Sequence, residues 1–184
     1  NFEGISGAQA RTISCWIKLP ANSPNPAPSI VSWGEHRRGR HWQVSINNVP
    51  QFGTRGAIRT NFSSGYVIGS TDLRDGRWHH IASVYIGGNS SDIGAHIRHY
   101  VDGKLELVSA IKGIPNDIDT TTDTSRTRDN LKIGLRKRRN QPIKTLHGAI
   151  DELYIFDAAI LPSQITNLRD FNTPDDSQAQ YVTE

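Results

Sequence analysis

The residues best suited to chemistry lie between two tryptophans in the first third of the chain. Trp33 and Trp42 flank the run His36-Arg37-Arg38-Gly39-Arg40-His41. An aromatic ring stacks on the apolar face of a sugar, and a guanidinium group grips a carboxylate or sulfate through two parallel hydrogen bonds. Two interpretations of this run stay open: it forms an anion-binding surface, or it is a solvated hairpin tip.

The candidate ligand-binding set continues into the next segments. The run from His41 to Asn47 alternates, with its apolar residues on one face and its polar residues on the other. A second predicted hairpin follows and brings further arginines beside the polar face. The complete predicted set is Trp33, His36, Arg37, Arg38, Arg40, His41, Gln43, Arg55, Arg59 and Tyr66.

Two pairs of residues are weaker candidates for catalysis. Asp151 and Glu152 are adjacent on a predicted strand, so their side chains point to opposite faces and cannot flank one glycosidic bond. His79 and His80 also point apart and have no zinc-ligand spacing around them, which favours a structural role beside Trp78. No Gly-x-Ser-x-Gly turn occurs. The sequence therefore predicts a protein that is not an enzyme.

Composition and charge restrict the class of protein. The chain has 184 residues, 35% hydrophobic content and a net charge of +3, which suits one globular domain without a membrane span. The basic residues concentrate in two short runs, of which the second is Arg136-Lys137-Arg138-Arg139. No nucleic-acid-binding motif accompanies them, so nucleic acid is not a predicted partner. The single cysteine, Cys15, excludes an internal disulfide and lies in an apolar run where burial is expected.

Short alternating segments predict the elements that position these residues. Asp-Gly and other glycine turns separate runs rich in Ile, Val, Thr and aromatic residues, a pattern typical of antiparallel strands. The strands are predicted over 11–19, 30–34, 41–47, 56–62, 65–69, 78–86, 95–101, 105–110, 131–135 and 147–156, one helix over 161–171, and loops over 21–28 and 115–130. We predict an all-β, two-sheet antiparallel jelly-roll sandwich with one short C-terminal helix. Residues 1–171 form a single domain, and 172–184 form an acidic tail or linker.

The order of these motifs resembles a known family. The motifs are Thr12-Ile13-Ser14-Cys15-Trp16-Ile17-Lys18, Asp75-Gly76-Arg77-Trp78-His79-His80-Ile81-Ala82, Tyr100-Val101-Asp102-Gly103-Lys104, Leu131-Lys132-Ile133-Gly134, Gly148-Ala149-Ile150-Asp151-Glu152-Leu153-Tyr154-Ile155-Phe156 and Leu161-Pro162-Ser163-Gln164-Ile165. Their spacing is similar to that of LamG-like (laminin G-like) domains in the concanavalin A-like lectin/glucanase superfamily. More narrowly, they resemble the bacterial type that is appended to extracellular proteins.

The resemblance implies a convex and a concave sheet, with carbohydrate bound on the concave sheet or on its rim loops. It also implies a structural calcium ion with Asp151 as a ligand, since the Asp of the family's Gly-x-Ile-Asp-Glu strand often binds that ion. Trp16 and Trp78 match family positions in the core. The glucanases of the superfamily use a Glu-x-Asp-x-x-Glu strand, which this sequence lacks.

These observations predict a non-catalytic carbohydrate-binding module that targets a larger secreted protein to a polysaccharide, preferably an anionic glycan. The implied location is extracellular or at the cell surface, with other domains of a parent protein as partners. Two alternatives stay open. One is an adhesion or protein-interaction domain whose rim loops contact a protein, and the other is a structural spacer without a ligand.

Overall fold

The protein is built from two antiparallel sheets that pack face to face and a separate two-stranded ribbon. The computed structural model describes residues 4–21, 29–37, 39–88, 92–113, 118–120, 130–136 and 143–174. Within these ranges the predicted all-β sandwich with a short C-terminal helix is confirmed.

The two sheets have five and six strands. In spatial order, the first contains β13 (Ala149–Phe156), β1 (Arg11–Lys18), β6 (Trp78–Tyr85), β7 (Ile97–Val101) and β8 (Lys104–Leu105). The second contains β10 (Lys132–Ile133), β2 (Ser29–Gly34), β3 (His41–Ile46), β4 (Ile58–Asn61), β5 (Tyr66–Ile68) and β9 (Ala110–Lys112). The ribbon pairs β11 (Leu135–Arg136) with β12 (Lys144–Thr145). The helical elements are a 3-10 turn (Pro50–Phe52), α1 (Ile93–His96) and α2 (Pro162–Phe171).

Alternation along the strands decides which side chains fill the space between the sheets. Ile13, Cys15 and Ile17 of β1 belong to the core, and Trp42 and Val44 of β3 meet them from the other sheet. Burial of each large apolar side chain contributes about 1.5–3 kcal/mol. Cys15 is buried as predicted, and burial raises the pKa of its thiol, which keeps it protonated.

One polar contact ties the two sheets together inside the sandwich. The Thr60 hydroxyl of β4 lies 2.6 Å from the Ser83 hydroxyl of β6 and 2.8 Å from Nε2 of His99 in β7. All three residues are buried, and burial lowers the pKa of His99 to about 3. His99 is therefore neutral at physiological pH and acts as a structural hydrogen-bonding group.

The helix α2 packs on the outer face of the five-stranded sheet. Ile165 joins Ala82, Val84 and Tyr100 in a second apolar cluster on that face. The helix has ten residues, and none of the helices in the described ranges is long and apolar enough to cross a membrane. Helix α2 therefore covers part of the outer face of the five-stranded sheet.

Two predicted strands each proved to be a pair of shorter strands in different sheets. The segment 105–110 contains the end of β8 and the start of β9, which are the last strands of the two sheets. The segment 131–135 divides at Gly134, whose φ of 67° turns the chain from β10 into β11. Alternation identifies an extended segment but not the sheet that it joins, so this division was not predictable.

The predicted strand 95–101 also begins differently. Residues 93–96 form the single-turn helix α1, because the Asp92 side chain accepts a hydrogen bond from the Gly94 amide at 2.8 Å. Helix α2 ends at Phe171, and the predicted division into a domain over 1–171 and a tail over 172–184 stays a prediction. Residues 175–184 lie outside the described ranges, so the predicted tail stays a prediction.

Candidate functional site

The outer face of the six-stranded sheet carries a continuous row of polar side chains. Ser32 of β2 pairs with Gln43 of β3, Gln43 with Asn61 of β4, and Asn61 with Tyr66 of β5. The next row along the strands pairs Ser45 with Arg59. We use the term polar face for the outward residues Ser32, His41, Gln43, Ser45, Arg59, Asn61 and Tyr66.

The middle of the polar face is a floor of short, hydrogen-bonded side chains. Gln43 Nε2 donates a short hydrogen bond to the Ser29 hydroxyl, and the Ser45 hydroxyl donates to the Arg59 carbonyl at 3.3 Å. Gln43 and Ser45 are both buried. The floor is therefore held in place by its own contacts, and taller side chains around it have more surface to offer a ligand.

An arginine and two aromatic rings rise beside this floor. The rings of Phe52 and Tyr66 stack with centroids 5.7 Å apart and an interplanar angle of 29°. The Arg59 guanidinium carbon lies 4.4 Å from the Tyr66 centroid and 5.7 Å from the Phe52 centroid. Phe52 is 43% exposed. These three residues, here named the Arg59 cluster, present an aromatic surface and a cation together.

The basic tip between β2 and β3 is partly neutralised by its own carboxylate. Glu35 is buried, and its two oxygens lie 2.9 Å from Arg37 Nε and 3.3 Å from Arg40 Nη1. Both arginine side chains remain substantially exposed. One acid thus orders two cations, and the tip keeps a positive charge at one end of the polar face. Arg38 lies outside the described residues.

The two histidines of the tip lie against each other. The His36 and His41 rings meet edge to face with centroids 4.9 Å apart. His36 Nδ1 lies 3.3 Å from the Ser63 hydroxyl, which joins the tip to the turn after β4. His41 is buried while His36 is exposed. Of the two, His36 is the one that a ligand in solution can reach.

Arg55 is exposed in the turn before β4. Its charge contributes to the lowered pKa of Asp72, whose main cause is the hydrogen bond from Arg74.

The histidines that follow Trp78 belong to the framework of the five-stranded sheet. His79 is held between Asp102, at 2.9 Å from Nδ1, and Asp75, at 3.1 Å from Nε2. The hydrogen bond to Asp102 is the main cause that raises the pKa of His79. His80 Nε2 lies 2.8 Å from the Ser14 hydroxyl, and burial lowers its pKa to about 4. These bonds join β6 to its neighbours and stabilise the sheet.

Asp151 lies on β13 next to an unusual backbone position. Glu152 has a φ of 49°, and its amide donates to Asp151 Oδ1 at 2.9 Å. The Tyr154 hydroxyl donates a short hydrogen bond to the Glu152 carboxylate. Calcium takes six to eight oxygen ligands, and the described residues contain no group of three or more Asp, Glu, His or Cys that could hold a metal. Calcium binding at Asp151 stays a prediction.

A comparison of the sequence with protein families agrees with the two-sheet sandwich fold. Residues 3–166 match the Laminin_G_3 family model of the concanavalin A-like lectin/glucanases superfamily. The chain belongs to this superfamily. No curated protein matches the sequence.

Solved structures show the same fold at low sequence identity. The native heptameric SAP-like pentraxin of Limulus polyphemus has a TM-score of 0.59 and 13% identity, over 91% of this chain and 73% of that one. A provisionally named carbohydrate-binding protein of Bacteroides ovatus has a TM-score of 0.63 and 17% identity, over 90% and 42%. The CBM40 of a Ruminococcus gnavus IT-sialidase has a TM-score of 0.59 and 15% identity, over 92% and 94%.

The structure reverses the predicted roles of three tryptophans: the one predicted to contact a ligand lies in the core, and the two predicted to lie in the core do not. Trp33 is only 1% exposed, and its indole N–H donates to the Ile5 carbonyl at 3.0 Å. Trp33 is therefore corrected from a ligand contact to a core residue. Trp16 and Trp78, which matched family core positions, are half-buried on the outer face of the five-stranded sheet. The reason is strand parity, since the isoleucines of β1 occupy the inward positions.

Sequence reasoning missed Phe52. Its 3-10 turn follows Pro50 and ends at Gly53, so no alternation indicates where the ring points. The one available signal is a lone aromatic residue in a turn close to the predicted arginines. Of the predicted set, the structure brings Arg59 and Tyr66 into contact and places His36, Arg37 and Arg40 at the far end of the same face.

Proposed function

We propose that the polar face binds an oligosaccharide, with the Arg59 cluster at the centre of the site. The main support for this proposal is the Arg59 cluster itself: the exposed Phe52 ring stacks on Tyr66, and the Arg59 guanidinium contacts both rings. A sugar offers C–H groups to an aromatic ring and oxygen atoms to a guanidinium group, so both contacts can form at once. The floor beside the cluster is buried and held by its own hydrogen bonds, so it supplies a firm base along which a chain of sugars can lie.

An anionic sugar is the preferred ligand. Arg59 belongs to the Arg59 cluster, Arg37 and Arg40 lie on the basic tip between β2 and β3, and Arg55 is exposed in the turn before β4. Guanidinium groups favour carboxylate and sulfate because two parallel hydrogen bonds form. The Ruminococcus gnavus module of similar fold has been solved with α2,6- and α2,3-sialyllactose, a ligand with a carboxylate. This parallel supports the proposal by analogy of fold alone.

We further propose that the domain is non-catalytic and carries a larger extracellular or cell-surface protein to its polysaccharide. The Glu35 carboxylate beside the polar face is bound to two arginines, which leaves it poorly suited to act as a general acid or nucleophile. A binding module needs only the contacts described above.

The test compares ligands that differ in one charged sugar. Isothermal titration with 3′-sialyllactose against lactose, and affinity electrophoresis with polygalacturonate against a neutral galactan, are run in rising salt. Arg59→Gln is expected to weaken binding about 10-fold or more, because a hydrogen bond to a charged group contributes ~1.5–3 kcal/mol. Arg77→Gln, an exposed arginine on the opposite sheet, is the matched control.

Each outcome separates one part of the proposal. Binding to the acidic ligands that weakens with salt and with Arg59→Gln supports it. Binding to lactose and galactan that ignores salt keeps the carbohydrate site and discards the anionic preference. Absence of binding to every glycan tested would overturn the carbohydrate-binding function.

A further inference from the structure

Exposed apolar side chains are concentrated along one side of the sandwich. Leu105, Leu107, Val108 and Ile111 are between 46 and 78% exposed. The segment that carries them runs from β8, the last strand of one sheet, to β9, the last strand of the other. Together the four residues, here named the edge patch, expose on the order of a few hundred Å² of apolar surface. Continuous patches of that size commonly mark interaction sites.

The exposure of the edge patch is built into a well-anchored backbone. The Glu106 carboxylate accepts hydrogen bonds from the amides of Ser70 and Thr71, both at 2.9 Å, and from the Thr71 hydroxyl at 2.8 Å. The Ser109 amide donates to the Ile68 carbonyl at 2.9 Å. Because Glu106 points inward, its neighbours on both sides point outward. The apolar side chains are therefore presented to solvent by a rigid segment.

The edge patch is concave. A pocket of about 200 Å³ is lined by Ile97, Arg98, Leu105, Leu107 and Val108, among others. Such a pocket has room for a large apolar side chain that projects from a partner. A flat lipid surface has no projection to fill it, so the shape favours a polypeptide.

Charge around the edge patch favours an acidic partner. Arg98 lines the pocket, and Lys104 and Lys112 flank the apolar segment in sequence; all three are exposed. Of the two nearby acids, Asp92 uses Oδ1 to cap the Gly94 amide, and the Glu106 carboxylate accepts from the amides of Ser70 and Thr71. A second copy of the chain docked on this patch would bring like charges together, whereas carboxylates on a partner would be attracted.

We propose that the edge patch binds an extended polypeptide segment of a partner protein in which apolar side chains alternate with carboxylates. Such a segment adds as a strand to the open side of β8 and inserts one apolar side chain into the pocket. The Glu106 amide donates to the His99 carbonyl of β7 at 2.8 Å, so the amides of its neighbours Leu105 and Leu107 point to the open side of β8. The edge patch shares no residue with the polar face, so each surface can be altered without changing the side chains of the other.

The test is a selection from a random 12-residue peptide library displayed on phage, with the whole protein immobilised. The expected winners carry apolar residues interleaved with Asp or Glu. Their affinity, measured by fluorescence anisotropy with the synthetic peptides, is expected to fall about 10-fold or more in Leu107→Lys, since burial of a leucine contributes ~1.5–3 kcal/mol. Lys104→Gln is expected to cause a smaller loss. Ile133→Lys, a half-exposed apolar residue on the opposite edge strand β10, is the matched control and retains full affinity.

Several outcomes would overturn the proposal. These are the absence of any enriched peptide, winners that bind Leu107→Lys as well as wild type, and winners without acidic residues. Two further results would also overturn it. If Leu107→Lys abolishes co-sedimentation with phosphatidylserine vesicles, the patch binds a lipid surface. If Leu107→Lys abolishes self-association in sedimentation velocity, the patch binds a second copy of the chain. Glycan titration of the same variants is a separate readout, so failure here and failure of the carbohydrate site are distinguishable. Circular dichroism and urea unfolding establish that each variant is folded.

Discussion

Two arginines of this protein each lie over a pair of aromatic rings, one inside the sandwich and one on its surface. Arg11 lies 4.9 Å from the Trp42 ring and 5.6 Å from the Tyr85 ring, between the sheets. Arg59 lies over Tyr66 and Phe52 on the polar face. Both sites pair a guanidinium group with two aromatic rings. A difference in role between Arg11 and Arg59 therefore comes from their surroundings.

The N–H groups of the Arg11 guanidinium donate hydrogen bonds to nearby carbonyl and hydroxyl groups. Its guanidinium donates to the carbonyls of Ile5 at 2.9 Å and Gly7 at 2.7 Å, and to the Thr120 hydroxyl at 2.9 Å. Further bonds reach the carbonyls of Ser6 and Gln9. Burial lowers the pKa of Arg11 to about 10, so the side chain stays charged at neutral pH. Arg11 therefore holds the loop 5–9 and residue 120 to the core.

Arg59 has a different environment. Its Nη1 lies at the long distance of 3.5 Å from Asn47 Oδ1, and its aromatic neighbour Phe52 is open to solvent. The comparison teaches that an arginine over aromatic rings is not in itself a ligand site. Exposure of the ring pair to solvent distinguishes the surface arginine from the interior one.

The largest expected effect comes from exchanging the two arginines for methionine. Arg11→Met is expected to lower the free energy of unfolding by about 3–5 kcal/mol, because several buried carbonyls lose their donor. Arg59→Met is expected to cost ~1 kcal/mol or less in stability. Urea unfolding of both variants measures the contrast. Similar losses of stability in the two variants would remove the distinction between interior and surface arginines.

A pH titration tests how strictly the interior excludes charge. His80 and His99 have pKa values lowered from 6.5 to about 4 and about 3 by burial, so the unfolded chain binds protons first as the pH falls. Their stabilising effect is complete above pH 6.5, and below it the free energy of unfolding falls by ~1.4 kcal/mol per pH unit for each histidine. His79 has a raised pKa, so its contribution is complete below 6.5 and is lost at higher pH.

Urea unfolding at pH 7, 6 and 5 measures this slope. His99→Gln is expected to reduce the slope between pH 6 and 5 to about half, because one of the two histidines no longer titrates. A slope that does not change in His99→Gln would show that the proton uptake belongs to other groups.

A smaller effect is expected on the surface side of the comparison. Phe52→Ala is expected to weaken glycan binding about 3- to 10-fold, since an aromatic contact contributes ~0.5–1.5 kcal/mol beyond its buried area. Stability should change little because the ring is 43% exposed. Trp33→Phe is the interior counterpart, for which we expect loss of stability and unchanged affinity per folded molecule. Isothermal titration and urea unfolding on the same samples distinguish the two.

The smallest expected effect concerns calcium. If Asp151 is a ligand, EGTA lowers the Tm of the wild-type protein by about 2–4 °C for each ~1 kcal/mol of binding free energy. Asp151→Asn is expected to have the lower Tm already and to be insensitive to EGTA. Differential scanning calorimetry measures both. A wild-type Tm that EGTA does not move counts against the calcium site.

Much of the fold was predictable because alternation is a local property of the sequence. The strands β1, β3 and β6 were predicted within one residue at each end. In β1 and β3 apolar residues recur at every second position, and β6 is an apolar run that follows an Asp-Gly turn. The same alternation could have placed the tryptophans. In β1, Ile13 and Ile17 occupy inward positions, so Trp16 must face outward.

The candidate site was less predictable because its members meet through register and turns. Arg59 and Tyr66 were included because they lie on the predicted hairpin next to the polar strand, whereas Phe52 reaches them from a 3-10 turn. Glu35 was not expected to order the basic tip, because its carboxylate meets Arg37 and Arg40 through the geometry of a loop. Such contacts have no periodic signal in the sequence.

The contact between Arg11 and Thr120 also has a kinetic consequence. The two residues are 109 positions apart in the chain, and closing so long a loop costs conformational entropy before any bond forms. The bonds from Arg11 to the carbonyls of Ile5 and Gly7 are local, whereas the bond to Thr120 needs this closure. We expect the bond to Thr120 to form late in folding. An interaction that forms late in folding mainly slows unfolding. Replacement of Arg11 should therefore raise the unfolding rate constant in a chevron plot far more than it lowers the refolding rate constant.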